Sequence, residues 1–280
     1  MKQAKCICKN CNNTGIHPVS VNDRGGRSGF LCNFHYLQNE SYYTKNTFRQ
    51  GKEKSNGFTY SIELETSRSN EKSRVELMNL GYIATKDSTV DVEYKSPIYQ
   101  GLNSLQKQLL SIDTLINQNN LQINDTCGTH LHVGHTENIN TVTMQYIRRF
   151  YHSLFVPLSE YMRQHPAKTR QFWGREFSSS GWAVPVNENT DAQNHKNFIN
   201  TQHDFTLEFR LAKFQNAKQY YNIVCFAKDT VNTIINNFIL HFNNDNFDKT
   251  RYKNITEYRK HKAKLTAQKI LKLYIKYNNE

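Results

Sequence analysis

Four short segments in which apolar and polar residues alternate restrict the fold of this 280-residue chain more than any other feature. They are residues 59–66, 91–94, 129–134 and 206–211. Successive side chains of a β-strand point to opposite faces of a sheet, so alternation with a period of two predicts a half-buried strand. The sequence therefore predicts a sheet with one apolar face and one polar face.

The polar face of this sheet is rich in ionisable residues. Its members are Glu63, Glu65, Glu93, His130, His132, Glu208 and Arg210. For any single strand, an ordinary solvated face explains the alternation. Across four strands, however, like charges about 6.5 Å apart along each strand repel one another unless a cation lies between them. Carboxylates with an occasional imidazole suit Mg²⁺ or Mn²⁺, and three or more carboxylates are enough for two metals.

Apolar stripes with helical spacing accompany these strands, at residues 102–116, 147–158 and 223–242. A shorter helix is predicted over about residues 71–80, because Gly81 is a suitable residue to end it. We expect these helices to cover the apolar face of the sheet and to leave the acidic face open. The predicted fold class is therefore α+β.

A basic segment at residues 163–175 separates the third and fourth predicted strands, and it contains no acidic residue before Glu176. We expect a loop here, and a solvated basic loop is the simplest interpretation. Cations placed opposite metal-bound carboxylates are also what a polyphosphate requires. Arg170 and Arg175 are therefore the candidates from this segment for binding a nucleotide.

Cysteines are concentrated at the N-terminus, where residues 1–50 predict a zinc-ribbon-like module. Cys8 and Cys11 are separated by two residues, and so are Cys32 and His35. This spacing is typical of a tetrahedral structural Zn²⁺ site. Cys6 is an alternative ligand to Cys8. Disulfides are the competing interpretation, but they are rare in a reducing compartment.

The net charge of +12 is carried by the two ends of the chain. Residues 1–56 have nine Lys or Arg against three acids, residues 246–280 have ten against three, and residues 57–245 have 17 against 18. A basic central domain is excluded, whereas basic ends remain able to hold an anionic partner. We expect residues 246–280 to form an amphipathic helix that packs on its own domain, with nucleic acid, an acidic substrate or an anionic membrane surface as alternative partners.

The cytoplasm is the expected location. No apolar stretch follows the basic N-terminal residues as it does in a secretory signal. No apolar run approaches the roughly 18 residues that a membrane-spanning helix needs.

The order of motifs over about residues 57–214 resembles the amidoligase family, which belongs to the carboxylate–amine ligases typified by glutamine synthetase and glutamate–cysteine ligase. The matching motifs are Glu63-Leu64-Glu65, Asp87-Ser88 followed by Glu93 and Ser96-Pro97, Gly128-Thr129-His130-Leu131-His132-Val133, and Leu207-Glu208-Phe209-Arg210. Where the family usually has glycine after the aspartate of the second motif, this chain has Ser88 directly after Asp87. The chain is also far shorter than glutamine synthetase.

The resemblance implies a curved, mainly antiparallel sheet over residues 57–245 that binds ATP with two or three Mg²⁺ or Mn²⁺ ions. It implies that Glu63, His130 and Glu208 hold the metal at the nucleotide phosphates, and that Glu65 and Glu93 hold a metal nearer the acceptor carboxylate. Arg210 and Arg175 would stabilise the transferring phosphoryl group, with Glu208 part of the same catalytic set. His132 would contact the substrate or a ligand residue.

The function implied is ATP-dependent joining of a carboxylate to an amine through an acyl phosphate, on substrates derived from peptides, proteins or cell wall. Two other functions remain open on the residues alone. Clustered carboxylates also serve metal-dependent nucleases and phosphodiesterases. A non-catalytic protein that grips nucleic acid by its basic ends on a ligase scaffold is the third hypothesis.

Overall fold

The computed structural model describes residues 57–85, 90, 92–118, 120–177, 183–240, 252 and 254–279, and the backbone of residues 17–21, 27–31 and 49–50. The predicted zinc ligands Cys6, Cys8, Cys11, Cys32 and His35 lie outside the described residues, as do Asp87 and Ser88. Among the helices that are described, none has the length and apolar character needed to cross a membrane.

The strands of the described segments are mostly short. They are β1 (His17–Val21), β2 (Arg27–Leu31), β3 (Arg49–Gln50), β4 (Phe58–Thr66), β5 (Arg68–Ser69), β6 (Ile83–Thr85), β7 (Val92–Lys95), β8 (Ile98–Tyr99), β9 (Leu121–Gln122), β10 (Thr129–His135), β11 (Ile199–Asn200) and β12 (Thr206–Phe209).

Seven α-helices occur in the described part of the chain. They are α1 (Glu71–Asn79), α2 (Leu102–Asn117), α3 (Thr141–Arg149), α4 (Tyr151–Gln164), α5 (Pro166–Trp173), α6 (Ala217–Ile234) and α7 (Ile255–Asn279). A π-helical turn, Ile235–Ile239, follows α6 directly. The stripe predicted over residues 223–242 thus ends in a change of helix type, and Phe242 lies outside the described residues.

The main sheet has eight strands, six of them in the order β11-β12-β10-β4-β7-β6, while β8 pairs with both β4 and β3. The β3–β8 pair is parallel and the other pairs in this sheet are antiparallel. Separate two-stranded sheets are formed by β1 with β2 and by β5 with β9. The prediction of an α+β fold with a mainly antiparallel sheet is confirmed.

All four predicted strands are present, as β4, β7, β10 and β12. Their ends differ slightly from the sequence pattern, because β10 continues to His135 and β12 stops at Phe209. Arg210 and Leu211 therefore follow the fourth strand instead of belonging to it. Asp91, where the second strand was expected to begin, lies outside the described residues.

The apolar face of the main sheet is covered by aromatic side chains from helices. Phe209 of β12 lies with its ring centroid 6.4 Å from that of Trp173 in α5 and 6.5 Å from that of Phe226 in α6. Tyr220 of α6 donates a hydrogen bond to the carbonyl oxygen of Thr129 at 3.0 Å. These contacts attach α5 and α6 to the central strands and bury the face predicted to be apolar.

The basic segment 163–175 is mostly helical, so the expectation of a loop was wrong. Proline suits the first turn of a helix because its fixed φ is helical and its missing N–H has no helical partner there, and α5 begins at Pro166. Gly174 ends the helix with a left-handed φ of 83°, a conformation that glycine adopts without strain. Phe172 and Trp173 are buried, and they anchor the helix to the core.

The helix predicted over residues 147–158 is two helices, α3 and α4, which meet at Phe150. Phe150 is buried and its ring packs edge-on against Phe238 at 5.4 Å. The apolar stripe continues across the junction, since Ile147, Tyr151 and Leu154 are all buried. The break therefore leaves no trace in the periodicity.

The tail forms the predicted helix, α7, which packs against α4 and α6. Its inward side is short or aromatic, with Ala263, Ala267, Ile270 and Tyr274 buried. The Tyr274 ring stacks on Trp173, with centroids 6.3 Å apart. The interpretation that the tail helix packs on its own domain is confirmed.

Candidate metal centre

Strand pairing places the polar residues of the sheet in three rows. The rows are Lys95, Glu63 and His130; Ser61, His132, Glu208 and Asn200; and Thr85, Glu93 and Glu65. Because alternate residues of paired strands face the same side, all of these side chains lie on the face opposite the aromatic core. The central strand β10 contributes a histidine to each of the first two rows.

Glu63, His130 and Glu208 converge at the middle of this face. The Nδ1 atom of His130 is 3.4 Å from Oε2 of Glu63 and 3.4 Å from Oε1 of Glu208. One ligand atom from each residue lies within 4.8 Å of the other two, which is a spacing suited to a common cation. Glu208 and His130 are buried, with 1% and 4% exposure. These three residues are the set predicted from the sequence to hold the metal at the nucleotide.

Glu65 and Glu93 extend the centre on the far side of His130. The Nε2 atom of His130 is 3.6 Å from Oε1 of Glu65, and the Glu65 carboxylate also accepts a hydrogen bond from the backbone N–H of Gly128. Glu93 lies 3.0 Å from the Lys95 ammonium, which is itself 3.7 Å from Glu63. The four glutamates thus surround His130 and Lys95.

Gly128 makes room for the histidine. A Cβ atom at this position would lie 2.6 Å from Nε2 of His130 and 2.9 Å from a guanidinium nitrogen of Arg175. Any other residue would have to displace one of these side chains, so glycine is required by the close approach. The motif that begins with Gly128 therefore has a steric reason in the structure.

The two predicted catalytic arginines have different surroundings. Arg210 donates a hydrogen bond to Oε1 of Glu208, and its buried Nε has no hydrogen-bond partner among the described residues. Arg175 donates to the carbonyl oxygens of Arg210 at 2.6 Å and of Leu211 at 3.2 Å. Arg210 therefore reaches the carboxylates directly, whereas Arg175 fixes the backbone that carries Arg210.

Arg170, the third predicted cation, is not brought into these contacts. Its side chain is 68% exposed and pairs with Glu176 at 2.7 Å. It lies in α5, the helix that replaces the expected loop. Its assignment to nucleotide binding stays a prediction that no contact within the described segments supports.

Two residues that the sequence analysis missed complete the second row. Asn200 donates from Nδ2 to Oε2 of Glu208 at 2.6 Å, and Nε2 of His203 lies 3.2 Å from the same oxygen. The rings of His203 and His132 meet edge to face, with centroids 4.9 Å apart. His203 lies in the turn between β11 and β12, where alternation carries no information. Its position five residues before Glu208 was the one feature of the sequence that could have suggested His203 as a member of the site.

Burial and the neighbouring histidines have opposite effects on the pKa values of Glu63 and Glu208. Burial opposes ionisation of Glu63, but His130 and His132 hold its pKa well below its usual range. Burial likewise opposes ionisation of Glu208, and contacts with His203, His132 and His130 hold its pKa low.

The pKa values of Glu93 and His132 are raised instead. Burial and the charge of Glu63 raise the pKa of Glu93. Burial lowers the pKa of His132, but the adjacent Glu63 carboxylate outweighs it and leaves that pKa raised. Without a metal, positive charge on His132 therefore compensates the carboxylates in part, a task that a bound cation performs equally well.

Comparison of the chain with protein-family models, with curated proteins and with solved structures finds no match. The resemblance to the amidoligase family therefore rests on the ordered motifs, and the chemistry of the centre has to be argued from its own residues.

Proposed function

We propose that this protein is an ATP-dependent carboxylate–amine ligase. The observation that carries the proposal is the convergence of Glu63, His130 and Glu208, whose ligand atoms lie within 4.8 Å of one another beside Arg210. The motif order that resembles the amidoligase family assigns the same residues to the metal at the nucleotide. A curved sheet, as in that family, is part of the proposal.

The charge of the centre explains why metal ions would be needed. Four carboxylates face Lys95, Arg175, Arg210 and His132, whose pKa is raised by the adjacent Glu63, so the centre has no excess positive charge to offer a polyphosphate. Oxygen ligands with one imidazole fit Mg²⁺ or Mn²⁺, and the buried, closely spaced carboxylates are stabilised by such an ion. When bound, the metal neutralises charge on the phosphate oxygens.

The chain's own residues then have separate tasks. Glu63, His130 and Glu208 would hold the cation at the phosphates, and Glu65 and Glu93 would hold one nearer the acceptor carboxylate. By the resemblance, Arg210 would donate to the transferring phosphoryl group, and its guanidinium lies beside Glu208, a proposed ligand of the cation at the phosphates. Arg175 keeps Arg210 in place through its backbone contacts and, by the resemblance, also faces the phosphoryl group. Arg170 remains a candidate for nucleotide binding through its charge alone.

The proposed reaction has two balanced steps. An oxygen of the substrate carboxylate attacks the γ-phosphorus of ATP, the bond to the β-phosphate oxygen breaks, and ADP leaves. The amine nitrogen then attacks the acyl carbon, inorganic phosphate leaves, and the nitrogen loses a proton to give the amide. By the resemblance, His132, whose Nε2 lies 3.5 Å from Glu63, would contact the substrate or a ligand residue.

Trapping with hydroxylamine tests the proposal without knowledge of the amine. The purified protein with ATP and Mg²⁺ is expected to convert a carboxylate from a panel of peptide, protein-derived and cell-wall acids into a hydroxamate, with stoichiometric ADP. Glu208→Gln and Arg210→Ala should each reduce turnover at least about 10²-fold. The matched controls Glu137→Gln and Arg163→Ala alter exposed residues and should retain turnover.

Two results would replace the proposal. Metal-dependent cleavage of DNA or RNA in the absence of ATP, abolished by Glu65→Gln, would make the protein a nuclease or phosphodiesterase. Salt-sensitive binding of nucleic acid with no turnover and no ATP binding would make it a binding protein on a ligase scaffold.

The two ends of the chain have separate proposed roles, a zinc site at the N-terminus and binding of an anionic partner at the C-terminus. We assign a structural Zn²⁺ to Cys8, Cys11, Cys32 and His35, with Cys6 as the alternative ligand, and this use of cysteine favours the cytoplasm. An anionic partner for the basic tail is supported by a cavity of about 780 Å³ between α4 and α7, lined in part by Arg149, Lys260 and Lys264.

A further inference from the structure

Glu208 presents its two carboxylate oxygens to two different groups of residues. Oε1 faces Nδ1 of His130 at 3.4 Å and accepts from Arg210. Oε2 faces Nε2 of His203 at 3.2 Å and accepts from Asn200 at 2.6 Å. A carboxylate oxygen has two lone pairs, so Oε2 keeps one free beside the Asn200 hydrogen bond. Glu208 is thus arranged to serve two cations at once.

The second group consists of His132, His203 and Glu208, and one ligand atom of each lies within 4.8 Å of the other two. His132 is only 7% exposed, and its Nε2 lies 3.5 Å from Oε1 of Glu63 but makes no hydrogen bond among the described residues. Its other ring nitrogen, Nδ1, lies 3.3 Å from the hydroxyl of Thr206, which fixes the ring. Burying an imidazole nitrogen that makes no hydrogen bond costs free energy, and coordination of that nitrogen to a cation would remove the cost.

The loop that carries His203 is held by an arginine from a different part of the fold. Arg148 of α3 donates from Nε to the carbonyl oxygen of Thr201 at 2.6 Å and from its terminal nitrogen to those of Gln202 and His203 at 2.9 and 3.3 Å. The same nitrogen is 3.3 Å from Asp204. A rigid, multiply bonded guanidinium fixes the loop backbone on both sides of His203, although the histidine side chain itself is 47% exposed.

We infer that His132, His203 and Glu208 form a second cation site, specific for a divalent transition metal such as Mn²⁺, Fe²⁺ or Zn²⁺, with Glu208 bridging to the first site. Two imidazoles and one carboxylate favour such ions over Mg²⁺, whereas the first site has two carboxylates and one imidazole. Arg148 is its positioning residue. The inference deepens the proposed function and rests on it for the first cation, with which it shares Glu208.

Electron paramagnetic resonance of Mn²⁺ bound to the full-length, metal-free protein tests the inference. Metals that share a bridging site lie about 3.5–4 Å apart, so two Mn²⁺ ions should give a spin-coupled spectrum. The His203→Ala variant should bind one Mn²⁺ fewer per chain than the wild type and should lose the coupling through Glu208, while the ions at Glu63 and at Glu65 with Glu93 remain. His195→Ala, which alters an exposed histidine of the preceding segment, should behave as wild type. Thiolates are poor ligands for Mn²⁺, so the N-terminal cysteines do not affect the count.

The positioning role of Arg148 has its own test. Arg148→Gln should weaken the second Mn²⁺ about 10-fold, as is usual when a residue supporting a ligand is removed, and should leave the first unchanged. Arg163→Gln, at an exposed position of α4, should change neither. Equal weakening of both ions by Arg148→Gln would assign the arginine to general stability of the sheet.

The outcomes separate this inference from the proposed ligase. A number of bound Mn²⁺ ions and a spectrum that are both unaffected by His203→Ala would overturn the second site and leave the ligase proposal intact. A coupled pair in a protein that never turns over ATP would overturn the ligase and keep the site. Absence of any Mn²⁺ binding would overturn both.

Discussion

The two faces of β4 differ in burial and in how they are completed: the apolar face is buried along the strand, whereas the polar face is half-buried at Ser61 and Glu63 and buried at Glu65. Leu64 is fully buried and Glu65, its neighbour in sequence, is 6% exposed on the opposite side. The apolar face is filled by helices and aromatic rings, and it needs nothing from outside the chain. The polar face brings glutamates close together, and it leaves buried nitrogens of His132 and Arg210 without hydrogen-bond partners in the described structure.

The apolar face therefore stabilises the fold, whereas the polar face carries the proposed metal site. Burial of apolar surface contributes favourably at every residue of the first face. Burial of like charges on the second face opposes folding, so that face is expected to gain stability from a bound cation. Four predictions test this contrast, beginning with the largest expected effect.

Truncation on the apolar face should have the largest effect on stability. Leu64→Ala removes a fully buried side chain and leaves a cavity, so the free energy of unfolding should fall by about 2–5 kcal/mol. Urea denaturation with and without Mg²⁺ measures it, and the loss should be the same in both. Leu110→Ala, the same change at a site 55% exposed, should have little effect. Similar losses for the two variants would contradict the assignment of the core.

A single methyl group beside the centre should act on metal affinity. Gly128→Ala places a Cβ atom 2.6 Å from His130, and the ring has to move. We expect Mn²⁺ to bind about 10–100-fold more weakly, by calorimetric titration. Circular dichroism should show an unchanged secondary structure. Wild-type affinity in this variant would mean that His130 is not a ligand.

Acid should act on the polar face through Glu63 and Glu208, whose pKa values are lowered in the folded protein. A group with a depressed folded pKa contributes stability above its unfolded pKa of about 4.5, and the contribution is lost as pH falls through the folded value. The metal-free protein should therefore lose stability below about pH 4.5. In Glu208→Gln, thermal unfolding should show a flatter dependence over that range. An unchanged acid limb would remove Glu208 from this linkage.

The smallest expected effect is an increase in the free energy of unfolding on substitution of Glu93. Glu93 lies directly opposite Glu65 in the strand register, and burial and Glu63 raise its pKa. Glu93→Gln should stabilise the metal-free protein at pH 7 by about 0.2–1 kcal/mol, because a like-charged cross-strand pair is relieved. The same variant should gain less than wild type from added Mg²⁺. Destabilisation in the absence of metal would show that the pair of Glu93 with Lys95 outweighs the repulsion.

Alternation predicted the strands and their faces because the period of side-chain direction is a property of each strand by itself. Glu63, His130 and Glu208 were all assigned correctly to one face on that basis. The pairing order was not contained in the pattern, since nothing in the alternation places β10 between β4 and β12. That order is seen only in the structure, and it brings His130 next to both glutamates.

Contacts that depend on loops and long-range packing escaped the sequence analysis. His203 reaches Glu208 through a turn, and Arg148 contacts that turn from 53 residues earlier in the chain. Arg170 was chosen for its charge alone, but the buried side chains of Phe172 and Trp173 decide how its helix is oriented. Charge and spacing identify candidates on strands, whereas the packing of neighbouring residues decides which helical and loop candidates reach the centre.

The central position of β10 limits how the chain can change over evolution. Because β10 pairs with β4 on one side and with β12 on the other, a shift in its register would disrupt both pairings. A single inserted or deleted residue in this strand would turn His130 and His132 toward the aromatic core and Leu131 and Val133 toward the carboxylates. Length variation among descendants of this chain should therefore accumulate in the connections between elements, and β10 should keep its seven residues.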